Sequence, residues 1–428
     1  IALELLFRPN SPNEEVKRNK ILQFEKLLAE GGQEEVKVIL GWLINSRIWN
    51  IKIPHEKAIR WMSDIDELIS KGSLKQAVSR TEIESVLGKA NEASFIVREL
   101  RFFFSRLRYR LKIAIRHDRA FLQPGEIEDL RLIRNTIDIL SKEGRSLNHV
   151  SMTIPSLFLK QDASTSVGIG GFMDLGFGWR IIFHPKILEL FHINTLEHMA
   201  GVVNIWMAIK LLNIDGDGNG MKFLDQSDNM TAVAWMLRST YYEKENRPEA
   251  ILREIMARHL ADLLFKSDTG SYLQHIRGID NIIADILSRN RNLTNNEIRL
   301  LISQEAKEFI DKTNFELKMT DVPEEIISWI ESLVLRMTQL KALPKEQKIR
   351  IANILENGGL SQPKPDFQFS SMTLAEKNRL KSAVLSRTKS DIINLAKSHC
   401  VDLKEIQSKL PSTLFARPSS RMDFPVPK

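Results

Sequence analysis

The stretch from about residue 155 to 290 constrains the fold most, because strand and helix signals alternate there. Glycines stand at 168, 170, 171, 176 and 178. Residues 156–164 read as a strand that ends in an acidic loop. Residues 168–173 read as its hairpin partner, and 179–183 as a third strand. Residues 194–212 have apolar spacing suited to a long helix. Residues 222–229 read as a strand running into a helix, 248–266 as a helix and 271–276 as another strand. A last helix starts near Asn281. Strands first, then helices alternating with strands, imply an α/β unit: a mixed five-stranded sheet flanked by helices.

On either side of this stretch the signals differ. Up to about residue 120 the chain reads as a small α+β segment. Its strands are expected at 36–42 and 49–53, with a helix at 55–70. A further helix is opened by Thr81, with Glu84 completing a capping box. Residues 121–154 read as a helical linker, with a break at 121–125 and a helix at 126–143. Residues 291–428 read as a helical region poor in strand signals, with a linker at 358–371 and a disordered end from Pro411. Asp215-Gly216-Asp217-Gly218-Asn219-Gly220 opens like a calcium loop, but Gln226 stands where the closing bidentate Glu is needed, so a polar turn is the better reading.

Composition narrows the function classes. Of 428 residues, 27% are charged and 43% hydrophobic, which excludes a disordered or collagen-like chain. One cysteine, Cys400, excludes an internal disulfide and a cysteine-rich zinc site, and is compatible with the cytoplasm or nucleus. No apolar run is long enough for a membrane span, and the first residues do not form a signal peptide; they read as a piece cut from a longer product. The net charge of +7 is small, but it is concentrated. Residues 98–119 carry eight Lys or Arg against Glu99 and Asp118, a net of +6 without a Gly or Pro, so one helix is expected. Two readings stand for it: arginine stems lying over a core, or a helix that tracks phosphates through Arg98, Arg101, Arg108 and Lys112.

Four carboxylates fall at the ends of expected elements. Asp162 ends the first strand, Glu197 lies in the first turn of the long helix, Asp228 ends a central strand and Asp285 opens the last helix. Each alone fits a cap or a solvated charge. Adjacent strand ends and a facing helix can gather all four at one sheet edge. Clustered carboxylates raise one another's pKa and call for compensating cations. An all-oxygen ligand set selects a hard ion such as Mg²⁺.

These residues carry a resemblance. Gln161-Asp162-Ala163-Ser164, Leu196-Glu197, the run from Ser227-Asp228-Asn229 to Val233, and the run from His275 through Asn281-Ile282-Ile283-Ala284-Asp285 to Leu287-Ser288-Arg289 resemble the ribonuclease H domain of retrotransposon reverse transcriptases. The last run is the most specific. Upstream, Val38–Asn45, Ile53-Pro54 with Lys57, Glu84–Ala90, and Arg98 with Arg101-Phe102 are similar to the segment joining polymerase and ribonuclease H in these elements, notably the DIRS-like group. The resemblance covers about residues 30–290. It implies a ribonuclease H-like fold and hydrolysis of the RNA strand of RNA–DNA hybrids. Asp162, Glu197, Asp228 and Asp285 would be ligands to two Mg²⁺ ions, with Mn²⁺ a substitute. His275 would assist proton transfer and product departure, a role that suits a side chain titrating in the physiological range. Ser164 and Asn229 are candidates for sugar contacts, with turn and cap roles as the alternative, and the basic stripe is the candidate track for the hybrid's backbone. Departures are Gln161, where the family commonly has Thr, and the lack of an acidic pair after any tyrosine. DNA synthesis by this chain alone is therefore not expected, and the polymerase portion of the same polyprotein is the implied partner. The rival class is a non-catalytic scaffold that binds nucleic acid or protein.

Overall fold

The computed structural model describes residues 34–150, 154–237, 247–313 and 315–399; the expected disordered end from Pro411 lies outside them. In the N-terminal unit the expected strand at 36–42 is a hairpin of β1 (Val36–Ile39) and β2 (Trp42–Asn45). The two-residue turn between them puts Leu40 at φ 51° and Gly41 at φ 79°, the left-handed pair that a tight hairpin needs. β3 (Asn50–Lys52) pairs with β2, and α1 (His55–Ser73) follows. β4 (Ala77–Ser79) leads directly into α2 (Arg80–Ala93). The capping box is formed by Ser79 and Glu82, two residues before the expected Thr81 and Glu84.

The basic stripe is not one helix. It is a 3₁₀ segment at Arg98–Phe103, α3 (Ser105–His117) and the first residue of β5 (Arg119–Phe121), with Asp118 left-handed at φ 61° where the chain turns. Next comes α4 (Pro124–Lys142), then β6 (Arg145–Ser146), which pairs with β3. The segment expected to be a linker therefore packs into the N-terminal unit. Ile127, Leu130, Ile133, Ile137 and Leu140 of α4 share one core with Ile51, Trp61, Ile65, Ile83 and Leu107.

The second unit is built on a mixed sheet. β7 (Leu157–Ala163), β8 (Gly168–Met173) and β9 (Phe177–Phe183) form an antiparallel meander. After α5 (Ile193–Leu211), β10 (Met221–Ser227) lies parallel to β7. After α6 (Met230–Leu237) and α7 (Pro248–Lys266), β11 (Thr269–His275) lies parallel to β10. These crossovers order the five expected strands as β11-β10-β7-β8-β9. α5 is apolar on nearly every face because it is enclosed. It packs between the sheet and the helices that follow, within a core containing Leu157, Trp179, Phe223 and Met256.

The C-terminal region is part of this unit. α8 (Ile282–Arg289), α9 (Asn295–Glu305) and α10 (Lys307–Thr313) lead to β12 (Lys318–Met319). α11 (Glu324–Leu340) and α12 (Lys345–Glu356) lead to β13 (Leu360–Ser361). β12 and β13 pair with opposite ends of β9, so the expected five-stranded sheet has seven strands. The stretch expected to be a linker thus supplies a strand, and it buries Phe369. α13 (Leu374–Leu385) and α14 (Lys389–Ser398) close the described chain. Ile392 and Ala396 of α14 cover Phe158, Leu224 and Tyr272, on the sheet face opposite α5. No described helix is long and apolar enough to cross a membrane.

Candidate metal centre

The carboxyl ends of the parallel strands bring the acids together. Asp162 is the penultimate residue of β7 and lies opposite Gly170 in the hairpin register. Asp228 directly follows β10, the strand beside it. Glu197 comes from the second turn of α5, one turn deeper than the first turn expected for it. Ligand oxygens of Asp162, Glu197 and Asp228 all lie within 4.8 Å of one another. Asp285, in the first turn of α8, stands beside this triad rather than within it. Its helix reaches the sheet because Gly170 has no side chain: a Cβ there would meet Leu287 Cβ at 2.8 Å.

Hydrogen bonds fix the group. Ser288 Oγ donates to Asp162 Oδ2. Ser227 Oγ donates to Glu197 Oε2 at 3.4 Å. Arg289 Nε reaches Asp285 Oδ1 at 2.6 Å and Asp162 Oδ2 at 3.9 Å. Asn281 Nδ2 donates to the Gln161 carbonyl at 3.0 Å, tying the start of α8 to β7. Burial raises the pKa of Asp162 and Glu197; repulsion from Asp228 and Asp285 adds to it at Asp162, and repulsion from Asp162 and Asp228 at Glu197. Burial also raises Asp285, against the pull of Arg289. Without a cation the cluster therefore retains protons.

The donor set fits a hard divalent ion. Bonds of ~2.1 Å place oxygens roughly 3 to 4 Å apart around an octahedral Mg²⁺. The ligand oxygens of the triad, all within 4.8 Å of one another, lie close to that spacing. A bound cation would also replace the retained protons.

The remaining residues singled out in the sequence fall in three places. His275 ends β11 in register with Ser227, is exposed, and its Nε2 lies 3.0 Å from the Asp228 carbonyl oxygen, at the rim of the cluster. Ser164 and Asn229 fill turn and cap roles. Ser164 Oγ accepts from the Ser166 amide at 3.2 Å in the β7–β8 turn, and Asn229 Oδ1 accepts from the Thr231 and Ala232 amides at 3.0 Å, capping α6. The basic stripe lies elsewhere. Glu99, next to Arg98, pairs with Arg145, and Arg145 pairs with Asp268 just before β11, which places this part of the stripe at the opposite end of β10 from Asp228. The strand between them is ~20 Å long at about 3.3 Å per residue. Arg101 is half-buried, with Nε on Ser94 Oγ at 3.3 Å, and Arg108 lies over the Phe104 ring at 5.5 Å. Arg106 and Arg110 pair with Glu254 and Glu126 at 2.8 and 2.9 Å. These are arginine stems over a core; Lys112 alone of the four named residues is exposed.

Asp225 was not singled out in the sequence. It is 1% exposed, and Asn204 Nδ2 donates to its Oδ1 at 2.9 Å, while Asn204 Oδ1 accepts from Trp179 Nε1 at 3.0 Å. Burial drives the Asp225 carboxyl well above its usual range. The chain links β9, α5 and β10 directly beneath the acids. Its signal in the sequence was an acidic residue in the middle of an expected strand, directly after Phe223-Leu224.

Comparison with protein-family models, with curated proteins and with solved structures gives no match for this chain.

Proposed function

We propose that the protein is a metal-dependent endonuclease of the ribonuclease H type, which hydrolyses the RNA strand of RNA–DNA hybrids and derives from a retroelement reverse transcriptase. The observation that carries this reading is the convergence of Asp162, Glu197 and Asp228, from three separate elements, to within 4.8 Å. Asp285 and His275, from the most specific run of the resemblance, border the same place. The five central strands also have the mixed arrangement that the resemblance implies.

Asp162, Glu197 and Asp228 would hold Mg²⁺, with Asp285 completing the set for a second ion. When bound, such ions activate a water and stabilise the leaving oxygen of a phosphodiester. The protein's own contribution is positional. Ser288 and Ser227 fix the carboxylates, and burial keeps them poised for a cation rather than solvent. His275, exposed at the rim, can pass a proton to or from the departing strand. The test is incubation with labelled RNA–DNA hybrid, single-stranded RNA and duplex DNA, each with and without Mg²⁺. Cleavage of the hybrid's RNA strand alone, dependent on Mg²⁺, is the expected outcome. Equal cleavage of all three substrates, or none, contradicts it.

A further inference from the structure

The N-terminal unit carries a cleft that the metal centre leaves unused. It lies between the end of α1, strand β5 and the start of α4, with a volume of about 620 Å³. Leu122, Pro124 and Ile127 give it an apolar floor. Lys75, Phe121 and Arg131 surround it, all exposed, Phe121 by 56%. Among the described residues, no acidic side chain lines it. Arg119 shares the exposed face of β5 with Phe121, two positions away. Lys75, Arg119 and Arg131 form no ion pair among the described residues, in contrast to Arg106 and Arg110 of the neighbouring helix.

The backbone at Lys75 adds an independent observation. Its φ is +54°, a conformation that glycine adopts freely and lysine only at a cost. Its amide closes the end of α1 on the Gly72 carbonyl. Lys75 thus holds a cationic side chain at a left-handed helix end beside the cleft.

We infer that this cleft binds one nucleotide unit of a single-stranded nucleic acid, with the base against Phe121 and flanking phosphates held by Lys75, Arg119 and Arg131. An exposed ring offers a stacking face to any base, and unpaired cations beside it neutralise phosphates. The volume falls in the range of small-ligand sites. An acidic peptide would engage the cations but has no planar base to set on the ring. Binding here needs no divalent ion and does not rest on the metal centre.

The test measures affinity for a fluorescein-labelled oligothymidylate in EDTA across a salt series. Lys75→Gly combined with Arg131→Gln should weaken binding about tenfold. It should also lower the slope of log K against log salt by about 1.4, the share of two single-strand phosphates. Phe121→Ala should weaken binding by a similar factor, on the order of tenfold, with the slope unchanged. Where Phe121→Ala melts early, Phe121→Leu keeps the packing and removes the stacking face. Because the measurement is made in EDTA, without any divalent ion, failure here is separable from failure of the metal centre. Unchanged affinity in the well-folded Lys75/Arg131 variant overturns the inference. An equal loss for polyglutamate of matched charge also overturns it, and marks an acidic-peptide surface.

Discussion

Arg289 shows how one side chain can serve two states of the same site. Its guanidinium bridges Asp285 and Asp162, offsetting repulsion among acids that the fold has forced together. A divalent ion entering the cluster competes with that charge. Arg289→Met should therefore raise Mg²⁺ or Mn²⁺ affinity, on the order of tenfold for removal of one positive charge a few ångströms away. A calorimetric titration reads this directly; weaker binding in the variant would show that the arginine instead organises the ligands. Asp225 tests burial itself. Its folded pKa lies above its unfolded one, so its contribution to stability is fully present below about pH 3.9 and is lost as pH rises. Asp225→Asn should gain stability relative to the wild type between pH 4 and pH 8, measured as a shift in urea midpoint. A difference that stays constant with pH would contradict a neutral buried carboxyl. The triad and Asp285 beside it were legible in the sequence because each acid sits at or near the end of an element. The roles of Arg289 and Asp225 were not, because they depend on which distant elements close over them.

At the scale of elements, legibility followed the strength of the local signal. The five central strands and the helices between them were readable from alternation, apolar spacing and glycine punctuation. β12 and β13 were not, since two residues cannot show a period and their pairing with β9 is set by the chain on either side. The start of α2 was ambiguous for another reason. Ser79-x-x-Glu82 and Thr81-x-x-Glu84 both satisfy the capping-box pattern. β4 decides between them: Ser79 is its last paired residue, with the extended backbone of φ −79° and ψ 161° that a cap requires. Glu82 Oε2 accepts from the Ser79 amide at 2.7 Å. Ser79→Ala should then cost about 1 kcal/mol of stability. Thr81→Ala should stay within about 0.5 kcal/mol. Denaturant unfolding of the two variants separates them, and a larger loss at Thr81 would move the cap. The basic stripe misled for a related reason. Lack of Gly and Pro allows a continuous helix but does not require one: the stripe changes from a 3₁₀ segment to a helix at Phe104, and the turn at Asp118 ends that helix.

The whole molecule is held together by charged contacts that only the tertiary structure reveals. Arg145 Nη1 meets Glu99 Oε2 at 2.9 Å within the N-terminal unit, and its Nε reaches across to Asp268 Oδ1 at 3.0 Å, beside the sheet. His149 joins the same Asp268 oxygen at 2.7 Å, and burial holds its imidazole down at about 4. A neutral His149 can donate from Nε2 to Asp268 while Nδ1 accepts from Lys222 Nζ at 3.2 Å. At the other end of the chain, Arg387 spans Asp174 at 2.8 and 3.3 Å and donates to the Ser156 carbonyl at 2.7 Å, fastening the C-terminal helices to the sheet. Burial pushes Asp174 up to about 6 against that pairing. Arg387→Met leaves this carboxyl without its partner and should cost about 3 kcal/mol, read from the shift in unfolding midpoint. A loss below about 0.5 kcal/mol, the range of an ordinary surface substitution, would mean the helices are held by Ile392 and Ala396 alone.

Across this assembly, two strand ends and the helix facing them gather the carboxylates. The most direct measurement compares wild type with Asp228→Asn on labelled RNA–DNA hybrid in Mg²⁺. The substitution keeps the side chain's size and removes its charge from the triad. Cleavage should be abolished while hybrid binding persists. Cleavage by Asp228→Asn at the wild-type rate would contradict it.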